Sequence, residues 1–287
     1  MPTLHILGGK SFIGENVGRY IGNTSAGSLD VTLYNRNDID LLDPRAVDSF
    51  FQHVHPQDSV LVAAAISRLT DNSYQCFKQN CDIAENIAQA IRTSTCRHLI
   101  YLSSIDVYGQ QTKHHVLSEQ SALAPEDYYS SSKLAGENIL SIALQDKPQC
   151  LCILRLTGIY GPGDSGKSLI GLFVNRLRNK QRITLFAGGT SLRDYVYVDD
   201  LAELILNTIT YRHSGLFNVA TGVSATIREI AETVQSVMAI EENQLDFSSD
   251  THRNYDLCFN TQKLTEKFPS VQFRTIKQGI SHYLESL

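Results

Sequence analysis

Along the N-terminal half of the 287-residue chain, short apolar runs alternate with longer stretches whose apolar residues recur at helical spacing. The spacing is clearest after residue 80, where Ile83, Ile87 and Ile91 fall on one helical face, and it returns after residue 129. The strand-like runs lie at residues 3–7, 30–34, 58–65, 99–102 and 150–154. This alternation predicts an α/β protein with a doubly wound parallel sheet.

Beyond residue 160 the strict alternation ends. Residues 161–166 have the composition of a loop, and residues 168–179 have the apolar spacing of a helix. The sequence therefore predicts one domain over residues 1–160, to which a strand and a helix near residues 195–212 return. Residues 161–287 are predicted to form mainly a smaller C-terminal lobe.

A glycine-rich turn follows the first strand. It contains Gly8 and Gly9 and ends at Gly14, and a helical stretch begins directly after it. Glycine lets the backbone approach a pyrophosphate closely, and the free N–H groups of a helix N-terminus attract the same anion. Ser11 stands where the usual dinucleotide-binding pattern has its middle glycine. We therefore expect a dinucleotide at this turn, although the glycine pattern is incomplete.

The second strand ends where folds of this kind contact the adenosine ribose. An acidic residue there would bind the 2′-hydroxyl of NAD, but this sequence has Asn35 followed by Arg36. Lys10 lies in the glycine-rich turn, so two cations could converge on a 2′-phosphate. The pattern favours NADP(H), with NAD as the alternative. A solvated Arg36 and an outward-pointing Lys10 stay open as a structural interpretation.

Tyr129 and Lys133 are four residues apart in a segment with helical spacing, so they share one helix face. The phenol of free tyrosine has a pKa of about 10, and a nearby fixed cation makes its proton usable at neutral pH. Lys133, together with an oxidised nicotinamide, would supply that positive charge. The pair is a candidate acid/base centre, although a single pair at this spacing is also typical of a solvated helix face.

Taken in order, these segments resemble the extended short-chain dehydrogenase/reductase family, in its nucleotide-sugar epimerase, dehydratase and reductase branch. The resemblance covers nearly the whole chain. Its matching segments are residues 8–9 and 12–14, 58–65, 80, 101–104 and 107–109, 129 and 133–137, 154–155 and 159–163, 193–200 and 217–222. The resemblance implies a Rossmann fold with a smaller C-terminal substrate-binding lobe, an NAD(P)-dependent enzyme and a homodimer.

The resemblance also implies roles for individual residues. The catalytic set is Ser104, Tyr129 and Lys133. The cofactor-binding set is Gly8, Lys10, Ser11, Phe12, Ile13, Asn35, Arg36, Ala63, Ala64, Asn80, Tyr129 and Lys133. The substrate-binding set is Ser104, Asp106, Arg193 and Arg253, of which the two arginines would clamp a nucleotide-sugar pyrophosphate.

Two of these assignments have alternatives. Ser103 is the neighbouring candidate for the role of Ser104, and only one of the two should reach the pocket because successive strand residues face opposite ways. Arg193 could instead brace the C-terminal lobe by pairing with Asp194 or Asp199. Both alternatives stay open at the level of sequence.

Departures from the family pattern narrow the chemistry. The dehydratases of this family follow the active-site hydroxyl residue with an Asp-Glu pair, whereas this chain has Ile105 and Asp106. An aliphatic side chain cannot donate a proton, so water elimination is not expected. Gly158 replaces an asparagine that contacts the substrate in many family members, which puts the detailed sugar contacts in question.

The resulting hypothesis is an NADPH-dependent reductase of a nucleotide-linked 4-keto-6-deoxy sugar. Tyr129 would give its proton to the carbonyl oxygen, Ser104 would steady that oxygen, and Lys133 would lower the phenol pKa and hold the nicotinamide ribose. The alternative is an NAD-dependent C4-epimerase that acts on a UDP-sugar-like nucleotide sugar. A lesser alternative is a non-catalytic relative that binds NADP or RNA.

Composition and residue spacing argue against nucleic-acid binding, membrane association and a metal site. The formal net charge of −5 gives no basic field for nucleic acid. No apolar run is long enough to span a bilayer and no leader precedes the first strand, so we expect no membrane association and a cytoplasmic protein. The six cysteines and nine histidines show no metal-ligand spacing, so we expect reduced thiols and no metal site.

Overall fold

The computed structural model describes residues 1–25, 27–110, 115–147, 150–164, 166, 168–250 and 255–287. The chain forms two compact units. The first consists of Met1–Gly109, Ala122–Leu156 and Ala202–Phe217, and the second of Gln110–Ser121, Thr157–Leu201 and Asn218–Leu287. The domain boundary that the sequence places at residue 160, with its division of functions, stays a prediction.

The elements alternate along the first half of the chain and are shorter in the second half. The strands are β1 (Thr3–Leu7), β2 (Asp30–Tyr34), β3 (Ser59–Val62), β4 (Leu99–Ser104), β5 (Val116–Leu117), β6 (Leu151–Leu156), β7 (Gly158–Tyr160), β8 (Ile183–Leu185), β9 (Leu192–Arg193), β10 (Tyr195–Tyr197), β11 (Gly215–Val219), β12 (Ala225–Thr226), β13 (Leu245–Phe247) and β14 (Cys258–Phe259). The helices are α1 (Phe12–Thr24), α2 (Pro44–Gln52), α3 (Tyr74–Thr93), α4 (Tyr128–Ala143), α5 (Leu169–Arg178), α6 (Val198–Thr210), α7 (Ile227–Val237), α8 (Gln262–Lys267) and α9 (Ile276–Glu285). The helix predicted over residues 168–179 is confirmed as α5, which Ser168 caps by accepting from the N–H of Gly171 at 2.9 Å.

Six strands form the main sheet, in the order β2-β1-β3-β4-β6-β11. The pairs β1–β2, β1–β3, β3–β4 and β4–β6 are parallel. Strands β3, β4 and β6 are buried along their whole length and most of their residues are apolar, whereas the edge strand β2 is partly exposed. The alternation in the sequence therefore predicted the doubly wound parallel sheet correctly.

The winding of the chain reverses between β1 and β3. From β1 the chain moves to β2 on one side, and then to β3 on the other side of β1. In open sheets of this kind, ligands bind in the crevice outside the carboxyl ends of the strands at such a reversal. Gly8 follows β1 and Ala63 follows β3 directly, so the crevice coincides with the glycine-rich turn.

Helices α2, α3 and α4 pack against the sheet of the first unit through one apolar core. Phe51 from α2, Ile87 from α3 and Leu140 from α4 are fully buried in it. Burial of a side chain of this size stabilises the folded state by roughly 1.5–3 kcal/mol. The two helices that carry candidate site residues, α3 and α4, are therefore held firmly to the sheet.

The second unit has an apolar core of its own. Strands β7 and β10, β8 and β13, and β5 and β14 form parallel pairs, and β9 and β12 form an antiparallel pair. Phe173 from α5, Ile230 from α7 and Ile280 from α9 are buried together in the core. Because an isolated strand pair is at best marginally stable, this unit depends on the apolar helix contacts rather than on its short strands.

Three general features bear on function. All six cysteines carry free thiols, and burial raises the pKa of Cys96 to about 11. Across the described ranges, no three His, Cys, Asp or Glu side chains come together in a way that could hold a metal ion. A search of the same ranges finds no helix with both the length and the apolar composition of a membrane span.

Gly136 on α4 lets this helix approach β4 closely, since a Cβ atom there would lie 2.9 Å from Cζ of Tyr101. Gly136→Ala should therefore destabilise the protein by roughly 1–3 kcal/mol, because the buried contact is overpacked. Gly22→Ala on α1 is the matched control, since a Cβ there meets nothing within 4 Å. It should stabilise the protein by up to about 1 kcal/mol through helix propensity. Urea unfolding measures both changes, and a stabilised Gly136→Ala variant would contradict the close approach.

Candidate functional site

The glycine-rich turn joins β1 to α1 and is fixed to the end of β2. The N–H groups of Gly8 and Gly9 both donate to the carbonyl of Tyr34, at 3.0 and 2.8 Å. Ser11 caps α1, because its hydroxyl accepts from the N–H of Gly14 at 3.0 Å. The serine that replaces the middle glycine therefore begins the helix, and the positive end of the helix dipole lies at the turn.

Gly8 allows the ends of β1 and β3 to lie side by side. Its φ is 92°, a conformation that residues with a side chain rarely adopt. A Cβ atom at Gly8 would also lie 2.6 Å from the backbone nitrogen of Ala64. Backbone atoms therefore form the wall of the crevice at this point, which permits close approach to a phosphate group.

A cavity of about 270 Å³ lies in the crevice. Seven residues of the predicted cofactor-binding set line it: Gly8, Lys10, Ser11, Asn35, Arg36, Ala63 and Ala64. The sequence analysis missed the other lining residues, which are Leu7, Ile39, Asp40, Leu41, Leu42, Ala65, Ile66, Gln79 and Ile83. Gln79 and Ile83 are four residues apart on α3, so a helical projection could have placed them on one face. A largely apolar cavity beside two cations suits an adenosine that carries a phosphate.

Asn80 on α3 holds the segment after β3 in place. Its side-chain oxygen accepts from the N–H of Ile66 at 2.9 Å, and its amide nitrogen donates to the Ile66 carbonyl at 3.0 Å. The same nitrogen donates to the hydroxyl of Ser132 on α4 at 3.1 Å. The side chain thus connects two helices with the crevice wall. Direct contact of Asn80 with a cofactor, like that of Phe12 and Ile13 at the start of α1, stays a prediction.

Lys10 and Arg36 lie at the rim of the cavity, and both are exposed. The Arg36 side chain is 75% exposed, and its Nη2 lies 3.7 Å from Oδ2 of Asp40. An exposed ion pair is worth at most about 1 kcal/mol, so a phosphate group can compete with Asp40 for the guanidinium. The sequence left a solvated Arg36 open as the alternative to a phosphate contact. The exposed position of Arg36 agrees with that alternative and is also compatible with a role in phosphate binding.

Helix α4 carries Tyr129 and Lys133 on one face, as their spacing predicts. Asp127 begins the helix with a capping box, in which its carboxylate accepts from the N–H of Ser130 at 2.7 Å. The Lys133 ammonium donates to the carbonyl of Leu102 at 2.7 Å and lies 5.9 Å from the centroid of the Tyr129 ring. The two candidate residues therefore meet near the carboxyl end of β4.

The two serines at the end of β4 use their hydroxyl groups differently. Ser104 accepts from the N–H of Asp106 at 3.1 Å and so caps the short 3₁₀ turn Ile105–Tyr108. Because the oxygen is the acceptor in this bond, the hydroxyl hydrogen can be donated elsewhere. Ser103 instead donates to Glu137 on α4 at 2.5 Å. Ser104 is therefore the better candidate for contact with a substrate oxygen, a role that stays a prediction.

Burial shifts the proton affinities of Tyr129 and Lys133 in opposite directions. It lowers the pKa of Lys133 to about 8, although the Glu137 carboxylate opposes the shift. It raises the pKa of Tyr129 above its usual value; Asp106 raises this pKa further and Arg68 lowers it. Burial therefore outweighs the nearby cations in the net shift of the phenol pKa. The expectation that Lys133, together with an oxidised nicotinamide, lowers this pKa stays a prediction. The phenol keeps its proton at neutral pH, as a proton donor must.

Two residues that the sequence analysis missed attach the segment after β3 to this centre. Nη1 of Arg68 lies 2.8 Å from Oδ2 of Asp106, and the side chain of Asn72 accepts from the N–H of Tyr129 at 3.1 Å. Both come from the polar stretch between β3 and α3, where no periodicity could have revealed them. The carboxylate of Asp106 is thus engaged by Arg68, and its contact with a substrate stays a prediction.

Arg193 in the second unit is fixed by backbone carbonyls and an aromatic ring. Its Nη1 donates to the carbonyls of Leu192 and Tyr255 at 2.8 and 2.5 Å, and its guanidinium lies 4.5 Å from the Tyr255 ring centroid. Asp194 accepts from the N–H and hydroxyl of Thr221, at 3.0 and 2.9 Å. Arg193 is thus braced by carbonyl oxygens. The alternative given for this residue in the sequence analysis expects a carboxylate, such as that of Asp194, as its partner. Its role as a phosphate clamp stays a prediction.

Gly158 lies opposite Tyr195 in the parallel register of β7 and β10. A Cβ atom at Gly158 would collide with the Tyr195 ring. The ring therefore occupies the space next to the backbone where the resembled family has an asparagine side chain. Arg253, the second predicted clamp residue, lies outside the described residues.

Comparisons of the sequence with known proteins agree with this geometry. A model described as the NAD dependent epimerase/dehydratase family matches residues 4–220. GDP-L-fucose synthase of Escherichia coli (strain K12) is 26% identical over 259 residues, which cover 81% of this chain and 80% of the relative. The dTDP-4-dehydro-6-deoxyglucose reductase of Escherichia coli is 31% identical over 145 residues, which cover 49% of this chain and 45% of the relative.

The fold matches that of a solved structure. The structure of RMD from Pseudomonas aeruginosa complexed with NADPH is similar with a TM-score of 0.83 and 20% identity, over 100% of this chain and 98% of that chain. At this level of identity the likeness concerns the fold alone. It confirms the predicted Rossmann-type α/β fold class.

The hydrogen bonds of Asn80 generate a prediction for stability. Asn80→Ala should lower the free energy of unfolding by roughly 1–3 kcal/mol, because the N–H and carbonyl of Ile66 lose their side-chain partner. Amide exchange at Ile66 should accelerate in parallel. Gln89→Ala, an exposed position on the same helix, is the control and should change stability little. Urea unfolding and hydrogen exchange measure these effects, and equal stability of the two variants would contradict the role assigned to Asn80.

Proposed function

Because the chain belongs to the NAD dependent epimerase/dehydratase family, we propose that it is an NADPH-dependent reductase of a nucleotide-linked 4-keto-6-deoxy sugar. The observation that carries this proposal is the meeting of Tyr129 and Lys133 near the end of β4, whose last residue is Ser104. Relatives named GDP-L-fucose synthase and dTDP-4-dehydro-6-deoxyglucose reductase support the substrate class. Membership in the family confirms the predicted enzyme class, an NAD(P)-dependent enzyme of the extended short-chain dehydrogenase type.

In the proposed reaction Tyr129 donates its proton to the carbonyl oxygen, because its raised pKa keeps the phenol protonated. Ser104 donates a hydrogen bond to the same oxygen and stabilises the negative charge that develops on it. Lys133, with a pKa of about 8, is mostly protonated at neutral pH and places a positive charge beside the phenolate that remains. NADPH supplies the hydride when it is bound.

The crevice between β1 and β3 supports NADP(H) as the cofactor, with NAD as the alternative. The capped N-terminus of α1 and the close approach at Gly8 fit a pyrophosphate. Lys10 and Arg36 would hold a 2′-phosphate at the rim of the cavity.

An NAD-dependent C4-epimerase is the second candidate, since the family includes epimerases by its description. Dehydration is less well supported, because Ile105 is buried and aliphatic where the dehydratases have an acid. A non-catalytic relative is also less well supported, because Ser104, Tyr129 and Lys133 are all present. The exposed cations at the cavity rim favour the reductase over the epimerase.

The remaining assignments belong to the same proposal. Asp106 and Arg193, together with Arg253, would contact the nucleotide sugar, and the position of Arg193 over the Tyr255 ring keeps its guanidinium in a fixed orientation. The homodimer and the cytoplasmic location expected from the sequence are further parts of the proposal. The net charge of −5 supports the expectation that nucleic acid is not a partner.

Tyr129→Phe should reduce turnover by roughly 10²–10⁴-fold while NADPH binding is retained, because only the proton donor is removed. The measurement is the decrease of NADPH absorbance with a nucleotide-linked 4-keto-6-deoxy sugar, together with titration of nicotinamide fluorescence. Tyr128→Phe is the matched control, because Tyr128 is exposed on the same helix and should keep its activity. Undiminished turnover of Tyr129→Phe would refute the role of the phenol.

Arg36→Ala and Lys10→Ala should each weaken NADPH binding by roughly tenfold or more and leave NADH binding nearly unchanged, because each loses a charge-assisted contact to the 2′-phosphate. Fluorescence titration with both nucleotides measures the change. Arg45→Ala on α2, an exposed arginine that does not line the cavity, is the control. Equal loss of affinity for NADPH and NADH would contradict a contact to the 2′-phosphate.

A further inference from the structure

A buried ion pair lies directly behind the candidate catalytic residues. The guanidinium of Arg155 on β6 contacts both carboxylate oxygens of Glu137 on α4, with Nε–Oε1 at 2.9 Å and Nη2–Oε2 at 2.6 Å. Ser103 on β4 donates to the same carboxylate at 2.5 Å. Glu137 is 4% exposed and Arg155 3% exposed, so both charges are almost fully removed from water. Removing two charges from water costs about as much free energy as their attraction returns, so a buried ion pair is weak evidence for a stabilising role. We therefore consider a role of this pair in the chemistry of the neighbouring residues.

The network continues from Arg155 toward the turn after Ser104. Nη1 of Arg155 donates to the hydroxyl of Tyr108 at 2.8 Å, and the guanidinium lies 5.0 Å from the Tyr108 ring centroid. Tyr108 is the last residue of the 3₁₀ turn that Ser104 caps. The four side chains Ser103, Glu137, Arg155 and Tyr108 therefore join β4, β6, α4 and the turn, and all four belong to the first unit. We call them the buried network.

Glu137 is also the nearest carboxylate neighbour of Lys133 along α4. It follows Lys133 by four residues, so the two side chains lie on the same helix face. The Lys133 ammonium is buried, and its hydrogen bond goes to the uncharged carbonyl of Leu102. Burial lowers the pKa of Lys133 to about 8, and Glu137 opposes this shift more than any other group. The negative charge of Glu137 thus favours the protonated form of a lysine that burial would otherwise neutralise.

Other titratable groups also face Lys133 and contribute to its environment. Tyr101 on β4 places its ring centroid 5.0 Å from the ammonium, and the Tyr129 ring on α4 lies 5.9 Å away. Cys76 on α3 is a third such group, and only its thiolate form would favour the charged lysine. Burial raises the pKa of all three of these groups, so each is uncharged at neutral pH. Glu137 is therefore the member of the buried network whose negative charge stabilises the Lys133 ammonium. The positive charge of Arg155, which contacts the same carboxylate, opposes this stabilisation in part.

We infer that Glu137 is a positioning residue for the reaction proposed above: its carboxylate keeps the ammonium of Lys133 charged at the end of β4, and Arg155 limits the strength of that effect. The inference rests on the proposed function, because the charge of Lys133 matters for catalysis only if Lys133 takes part in the proposed reaction. Ser103 fixes the carboxylate through its short hydrogen bond.

A purely structural role for the same ion pair makes a different prediction. If Glu137 and Arg155 only join β4, β6 and α4, their removal lowers stability without a defined change in the protonation of Lys133. If Glu137 acts on Lys133, its removal lowers the proton affinity of this lysine, and the removal of Arg155 does not. The sign of the change in Lys133 therefore distinguishes the two roles.

The test is an NMR titration of the protein with ¹³Cε-labelled lysine, in which a Lys133→Arg variant assigns the Lys133 signal. Glu137→Gln should lower the proton affinity of Lys133 by roughly tenfold or more, since it removes the favourable charge and leaves the Arg155 cation. Arg155→Gln should leave this affinity unchanged or raise it. The double variant Glu137→Gln/Arg155→Gln should lie between Glu137→Gln and the unmodified protein.

Activity and binding measurements complete the experiment. The alkaline limb of the pH–rate profile should move to lower pH in Glu137→Gln, while the affinity for NADPH below pH 7 stays within about threefold. If Glu137→Gln does not fold, the same titration is made with Glu137→Asp and with the double variant. Glu137→Asp should retain the proton affinity of Lys133, and the double variant should lower it. An unchanged Lys133 titration in Glu137→Gln, or an equal loss in Glu137→Gln and Arg155→Gln, would overturn the inference. Because the titration needs no substrate, a shifted Lys133 without ketone reduction would refute the proposed function and leave the effect of Glu137 on Lys133 intact.

Discussion

Burial of the Lys133 ammonium beneath the end of β4 is the constraint on which the rest of the centre depends. A charge in a protein interior is costly unless neighbouring groups stabilise it, and here the Leu102 carbonyl and the Glu137 carboxylate do so. Helix α4 must therefore lie close to β4, and Gly136 permits this because it has no side chain to meet the sheet. Tyr129 is four residues earlier on the same helix, so the approach that places the ammonium also places the phenol.

The order of the strands brings the cofactor crevice next to this centre. The crevice opens between β1 and β3, and β4 is the next strand after β3 in the sheet. The segment that follows β3 forms part of the cavity wall at Ile66 and then contacts the 3₁₀ turn after β4 through Arg68 and helix α4 through Asn72. One short polar segment therefore fixes both the place where a dinucleotide would lie and the place where proton transfer would occur. A change in this segment should affect both together.

The sequence was sufficient for those features that depend on local periodicity. The alternation of apolar runs predicted the doubly wound sheet, and the spacing of Tyr129 and Lys133 predicted that they share a helix face, because both follow from backbone geometry. The contacts of Arg68 and Asn72 could not be predicted from the sequence, because both residues lie in a loop without periodicity. The raised pKa of Tyr129 could not be predicted either, because the burial that causes it is a property of the folded chain. Likewise, no spacing rule links Arg193 to the carbonyl of Tyr255, which is 62 residues away in the sequence.

The most direct test of the central claim is the fate of the hydride. The protein would be incubated with NADPH that carries deuterium at the transferable C4 position and with a nucleotide-linked 4-keto-6-deoxy sugar, and the product would be analysed by mass spectrometry and NMR. A reductase acting through Tyr129 and Lys133 places one deuterium on the former carbonyl carbon of the sugar for each NADPH oxidised. A sugar product that is epimerised without net oxidation of NADPH, or a carbonyl that stays unreduced while NADPH is bound, would contradict the account.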